Sequence, residues 1–144
     1  MILPDVNILV YAHRSDAPNH DQFREWLEAV LRSDSTFGIV DLVLSGFIRI
    51  VTHPRIFKEP SPLPDALAFA AEIRDRPNCA VVTPGRRHWD IFLRLCGQCS
   101  VRGNLVPDAF LAAIAIEGGF EWVTTDRDFS RFEGLRLRHP LDDA

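Results

Sequence analysis

No part of this chain is apolar for long enough to cross a bilayer. His13, Arg14 and Asp16 end the first apolar run well short of the ~20 residues a spanning helix needs. The opening also lacks a basic segment followed by a signal-like apolar core, so no secretory leader is expected. Cysteine is scarce and odd in number, with only Cys79, Cys96 and Cys99. That suits a reduced, cytoplasmic interior and argues against a disulfide framework. Cys96-Gly97-Gln98-Cys99 has redox or zinc-ligand spacing, but it follows a helical pattern and has no second ligand pair, so it is read as coincidence. There is no internal repeat and no low-complexity tail. An excess of positive charge is missing too. The formal charge of −4 gives no general electrostatic reason to bind nucleic acid. Basic groups do cluster locally, at Arg49, His53, Arg55 and Lys58, then at Arg86, Arg87 and His88, and later at Arg102.

What remains is a globular composition. Of the 144 residues, 47% are hydrophobic and 25% charged, which suits one compact domain over 1–144. The stretch from Asn104 to Phe129 organises the reading. It spells a helix opening near Pro107 and Asp108, a Gly118-Gly119 stop, and a short apolar strand over Phe120 to Thr124. Asp126 and Asp128 follow directly. Asp108 therefore stands at a helix start and Asp126 just past a strand's carboxyl end, positions that share one crevice in an open α/β sheet. Either could equally be a helix cap or dipole partner. Asp5 adds a third such position, since MILPD reads as a strand running into a helix near Asn7. Pro4 counts against a fully bonded central strand there. Three carboxylates brought together would repel one another, and a bound divalent cation removes the conflict.

Between these ends, Asn19 to Gln22 resembles a capping box ahead of a helix carrying Phe23, Trp26, Leu27, Val30 and Leu31. Thr36 to Val40 reads as a short strand weakened by Gly38. Asp41 then opens a helix with Leu44, Phe47, Ile48 and Val51 at core spacing. Asp41 reads as that helix's N-cap, or as a fourth carboxylate at the same edge. Thr52 to Pro64 is a proline-rich loop, followed by a helix ending before Pro77. Cys79 to Val82 reads as a buried parallel strand, and Trp89, Phe92, Leu93 and Cys96 as one more helical face. Leu135, Leu137 and His139 suggest an edge strand. Strands separated by helices favour an open α/β sandwich.

Four segments in order, MILPDVNILVYAHR, DLVLSGFIRIVTHPRIF, GNLVPDAFLAAIAIEGG and WVTTDRDF, resemble the PIN-domain ribonucleases, and among them the VapC-type toxins of bacterial toxin–antitoxin pairs. The resemblance implies a three-layer α/β/α sandwich with a mainly parallel sheet. It implies RNA cleavage with magnesium or manganese, a homodimer, and a cognate antitoxin partner. Carried over position by position, the metal-coordinating acids fall on Asp5, Asp108 and Asp126, and the second acidic position on Asp41, where most relatives carry Glu. Asp128 matches an additional acid of the toxin subgroup, and Asn7, Thr124 and Thr125 match polar positions that orient the site. Arg49, Arg55, Lys58 and Arg102 are candidates for backbone phosphates. Phe57 and Trp89 could stack on an unpaired base, although a core or dimer role suits Trp89 better. Among the histidines only His53 and His88 are candidates to touch RNA, the others reading as surface or packing residues. The first helices, around Val10, Phe23 and Trp26, are candidate dimer contacts. The competing readings are a metal-dependent DNA nuclease or phosphatase, and a noncatalytic partner-binding domain whose aspartates only cap helices.

Overall fold

In a computed structural model that describes residues 1–142, five short strands alternate with six helices. β1 (Ile2–Pro4) runs into α1 (Val6–His13) with Asp5 as the hinge between them. α2 (His20–Arg32), β2 (Phe37–Ile39), α3 (Asp41–Val51) and α4 (Leu63–Arg74) follow. β3 (Cys79–Val81), α5 (His88–Cys99), α6 (Leu105–Gly118), β4 (Glu121–Val123), a 3-10 turn (Arg127–Arg131) and β5 (Arg136–Arg138) complete the chain. β4 lies between β1 and β5, and β2 pairs with β3, every pairing being parallel. β1 and β2 lie side by side and join the two groups.

The helices divide between the faces. α1 packs on α2 and α3, and α3 on α4, while α5 packs on α6 and α6 on β4. This is the expected three-layer α/β/α sandwich. α6 is buried on nearly every side, through Ala109, Leu111, Ala112, Ala113, Ile114 and Ala115, because it is covered by both the sheet and α5. Gly119, at φ +68°, ends it in the left-handed conformation that glycine adopts without steric cost. Trp122, Phe37, Phe47, Phe129 and Leu3 are among the largest fully buried side chains.

Several expectations are corrected here. The objection from Pro4 to a bonded strand falls away, because the Asp5 N–H donates to the Val123 carbonyl at 2.8 Å and the β1–β4 ladder continues past the proline. Asn19 forms no capping box. It is left-handed (φ 58°) and its side chain makes no capping bond, while the adjacent His20 ring reaches the Tyr11 carbonyl instead. Asp41 is the first residue of α3 and Val40 its cap, without a side-chain bond. α6 starts at Leu105, two residues before Pro107, whose missing N–H falls in the first turn where no intrahelical partner exists. β3 is only partly buried, and Val81 stands 40% exposed, because this strand forms the sheet's edge. Val10 and Phe23 are buried within their own chain, which removes them from any dimer contact and leaves Trp26 half-buried.

Gly38 proves to be a close-approach residue. A methyl group there would overlap Leu3 Cδ2 and come within 3.0 Å of Val82 Cγ2, both held in the packing between strands. Gly38→Ala should therefore destabilise the fold by about 1–3 kcal/mol, read as a lower urea midpoint at unchanged slope.

Candidate metal centre

Asp5 is buried, at 6% exposure, and its position follows from local chemistry. It is the N-cap of α1, so Oδ1 accepts from the Val6 N–H at 2.7 Å. Oδ2 accepts from the Thr124 hydroxyl at 2.7 Å. Thr124 stands just past β4, and its Oγ1 in turn accepts from the Asp126 N–H at 3.0 Å. The Asp126 carboxylate caps the following turn by accepting from the Asp128 N–H at 2.9 Å. One threonine thus links the aspartate after β1 to the aspartate after β4. Asn7 donates to the same Oγ1 at 3.4 Å, and its own Oδ1 is buried without a hydrogen-bond partner among the described residues.

Asp108, in the first turn of α6, completes the group. Asp5, Asn7, Asp108 and Asp126 line one cleft of about 660 Å³. The opposite wall comes from α3, through Leu42, Gly46, Arg49 and Ile50, and from the loop residues Ile56 and Phe57. Mutual repulsion is visible in the ionisation of the acids. The Asp5 carboxyl is pushed up to about 6, by burial first and by the Asp126 charge, against the opposing bonds from Thr124 and Val6. Asp108 is likewise raised to about 6, by burial and then by the charges of Asp5, Asp126 and Asp128, with Arg131 partly offsetting them. Such clustering of perturbed carboxyls in a cleft is typical of functional sites.

Asp41 stands apart from this group. Its carboxylate accepts from Arg74 of α4 at 2.9 and 3.3 Å, and it does not line the cleft. The α3 face that does so carries no acid. Asp128 sits at the exposed rim, paired with Arg131 at 3.4 Å. Thr125 makes no side-chain hydrogen bond among the described residues, so of the two hydroxyls only Thr124 organises the site. Arg102 lies in the turn before α6, exposed and outside the cleft lining. Arg49 is part of the lining, and Arg55 and Lys58 flank the loop residues that are. His88 is buried and bonded to the Phe110 carbonyl at 2.9 Å, which takes it out of reach of RNA. Trp89 is neither core nor enclosed, at 58% exposure.

A cation fits this donor set in one particular way. Among the described residues, no three His, Cys, Asp or Glu side chains stand close enough to ligate a single ion together. All-oxygen donors suit magnesium or manganese, and magnesium keeps several of its waters, so one or two direct carboxylates with the rest through water is its usual arrangement.

A PIN-domain family model matches residues 2–135 of the chain. The chain belongs to the PIN-domain family. It is 44% identical to a VapC ribonuclease of Mycobacterium bovis over 142 residues, 99% of this chain and 97% of that protein. It is 42% identical to ribonuclease VapC25 of Mycobacterium tuberculosis, over 98% of this chain and all of that one. Two solved structures share the fold: VapBC2 of Rickettsia felis bound to a promoter DNA fragment and the sarcin-ricin-loop-cleaving toxin VapC20 of M. tuberculosis. The first gives a TM-score of 0.69 at 22% identity, covering 96% of this chain and 98% of that one. The second gives 0.66 at 19%, covering 94% and 99%. Over nearly its whole length this PIN domain is similar in sequence to VapC ribonucleases.

The raised carboxyls set a pH dependence. A carboxyl with a higher pKa folded than unfolded stabilises the fold below its unfolded value, and that contribution is lost as pH rises through the folded value. In chelator, the stability of Asp108→Asn relative to the parent should therefore increase between about pH 4 and pH 7. Urea midpoints of both proteins at pH 4.5 and 7.5 test this, and a constant difference would show that Asp108 is not perturbed.

Proposed function

We propose that this PIN domain is a metal-dependent endoribonuclease, cutting RNA phosphodiester bonds as the toxin of a toxin–antitoxin pair. The observation that carries the reading is the meeting of Asp5, Asp108 and Asp126 in one cleft. In this reading they hold magnesium or manganese, partly through water. Such an ion, when bound, lowers the pKa of a coordinated water and offsets charge on the phosphate. The chain's own residues do the positioning. Thr124 and the α1 N-terminus fix both oxygens of Asp5, and Asn7 steadies Thr124. Asp128 at the rim adjusts water, and Arg49 takes a phosphate oxygen. No histidine is assigned as base, since none lines the cleft.

Two partners belong to the same reading. Several structural neighbours were solved as VapBC complexes, which supports a cognate antitoxin. A basic side chain from such a partner would neutralise the carboxylates and block phosphate entry. A second copy of the chain is the other partner. Half-exposed Trp89 and Leu93 on α5, with Leu63 and Leu67 on α4, leave apolar surface to bury. Light scattering should give twice the monomer mass of 16.3 kDa, and a monomer at micromolar concentration would remove the dimer.

Incubation with total RNA, duplex DNA and a phosphate monoester, with and without magnesium or manganese, should give new RNA ends only with metal. Metal-dependent cleavage of DNA or the monoester alone would support the other hydrolase readings, and no cleavage at all would favour a binding module. Asp5→Asn and Asp126→Asn should each reduce RNA cleavage by at least roughly a hundredfold with the fold retained. Asp41→Asn, by contrast, should stay within about threefold of the parent, because an exposed pair of this kind contributes little. A large loss in Asp41→Asn at limiting metal would bring that carboxylate back into the site.

A further inference from the structure

The second wall of the cleft is held by a residue that the catalytic reading does not use. Arg14, at the C-terminal end of α1, is one of few buried polar or charged side chains, at 9% exposure. Each nitrogen of its guanidinium is engaged. Nε and Nη2 donate to the two Asp16 oxygens at 2.9 and 2.6 Å. Nη1 donates to the Glu59 carbonyl at 2.8 Å and to Ser61 Oγ at 3.2 Å. Its Cζ sits 4.0 Å above the centre of the Phe57 ring. His13 reaches the same Ser61 hydroxyl at 3.0 Å.

All these contacts except Asp16 fall on the loop between α3 and α4. The loop's base is closed by the Ser61 N–H on the Val51 carbonyl at 2.8 Å. Inside it, the Ile56 and Phe57 N–H groups both reach the His53 carbonyl, and the Arg55 N–H reaches His53 Nδ1, each at 3.1 Å. The result is a compact loop with adjoining ends, a form frequently used for function. What it presents is distinctive. Ile56 lines the cleft yet is 50% exposed. Arg55 and Lys58 on the loop, with Arg49 on the adjoining helix, make no side-chain hydrogen bond or ion pair among the described residues. Cations without partners among the described residues, Arg49 in the cleft wall and Arg55 and Lys58 beside it, around an exposed apolar side chain match a nucleotide strand: phosphates for the cations, apolar contact with a base for Ile56.

We propose that the loop from Thr52 to Pro60, pinned by Arg14, holds the RNA beside the bond to be cut and selects the cleavage position. This rests on the ribonuclease reading. Ile56 and Arg55 are substrate contacts, and Arg14 is a positioning residue acting through the loop. Lysine cannot replace it, because one ammonium nitrogen cannot reproduce the fork on both Asp16 oxygens together with the bonds to Glu59 and Ser61.

The test compares the parent protein with Ile56→Ala, Arg55→Ala and Arg14→Lys on total RNA and on one oligonucleotide spanning a mapped parental site. Ile56 and Arg55 are exposed, so their variants keep the proposal testable if Arg14→Lys folds poorly. Each variant should raise KM by roughly three- to tenfold with little change in kcat, and should alter the relative use of cleavage sites. The thermal shift with manganese should match the parent's, since the carboxylates are untouched. Unchanged KM and identical ends in Ile56→Ala and Arg55→Ala would overturn the proposal. So would variants that cut RNA normally but escape antitoxin inhibition, which would make the loop a protein-docking surface. A parent protein that cuts no RNA would instead sink the ribonuclease reading beneath it.

Discussion

The hydrogen bond from the Thr124 hydroxyl to Asp5 is the constraint on which the site depends. It joins the ends of β1 and β4, which are 119 positions apart in the chain. A hydroxyl has one proton to donate, and here it goes to the carboxylate. The oxygen then remains an acceptor for the Asp126 N–H and, more weakly, for Asn7. Loss of the register between β1 and β4 would turn Thr124 away from Asp5. The register is in turn held by packing, because Leu3, Trp122 and Val123 are all buried. The core below the strands and the chemistry above them are therefore one problem of alignment.

Alignment brings an electrostatic cost. Buried Asp5 and half-buried Asp108 both resist ionisation, and their neighbours add to that resistance. A fold selected for stability alone would replace one of them with an amide or an apolar side chain. A cation would resolve this conflict, because repulsion among the carboxylates becomes affinity for the ion. The partnerless Asn7 Oδ1 points the same way, as an unsatisfied acceptor in the same wall.

Much of this is legible in the sequence, for local reasons. Asp5, Asp108 and Asp126 each follow a boundary signal that a short window contains: an apolar strand, a proline in the first turn, a glycine stop. Those signals place an acid at an element's end, and in a parallel sheet the ends of neighbouring elements meet. Asp41 has the same kind of local signal, yet its carboxylate lies outside the cleft lining. An aspartate opening a helix looks the same whether its carboxylate faces a cleft or turns to Arg74, 33 residues further on. Val10 and Phe23 fail as surface residues for a related reason: helical spacing identifies an apolar face without saying what covers it. Asn19 has the residue type of a cap but not the backbone, since a left-handed φ cannot be read from composition. Gly38 reads as a weakness in a strand until its neighbour Leu3 is placed beside it.

Arg14 shows the deepest limit. In sequence it is one of many arginines and reads as the polar end of an apolar run. Its importance lies in being buried, which only the return of the loop from Val51 to Ser61 brings about. Burying a guanidinium is costly unless its donors find acceptors; Asp16 supplies two of them, and the loop supplies the others through the Glu59 carbonyl and the Ser61 hydroxyl. The two walls of the cleft are accordingly held by different means. Strand ends and helix starts hold the carboxylates through backbone geometry that cannot shift without unfolding the sheet. The loop wall rests on its own turns and on side chains of α1 and its C-cap, Arg14 foremost. In the proposed ribonuclease reading the carboxylates of the first wall would do the chemistry and the loop wall would meet the RNA, so substitution could reshape the second without moving Asp5, Asp108 or Asp126.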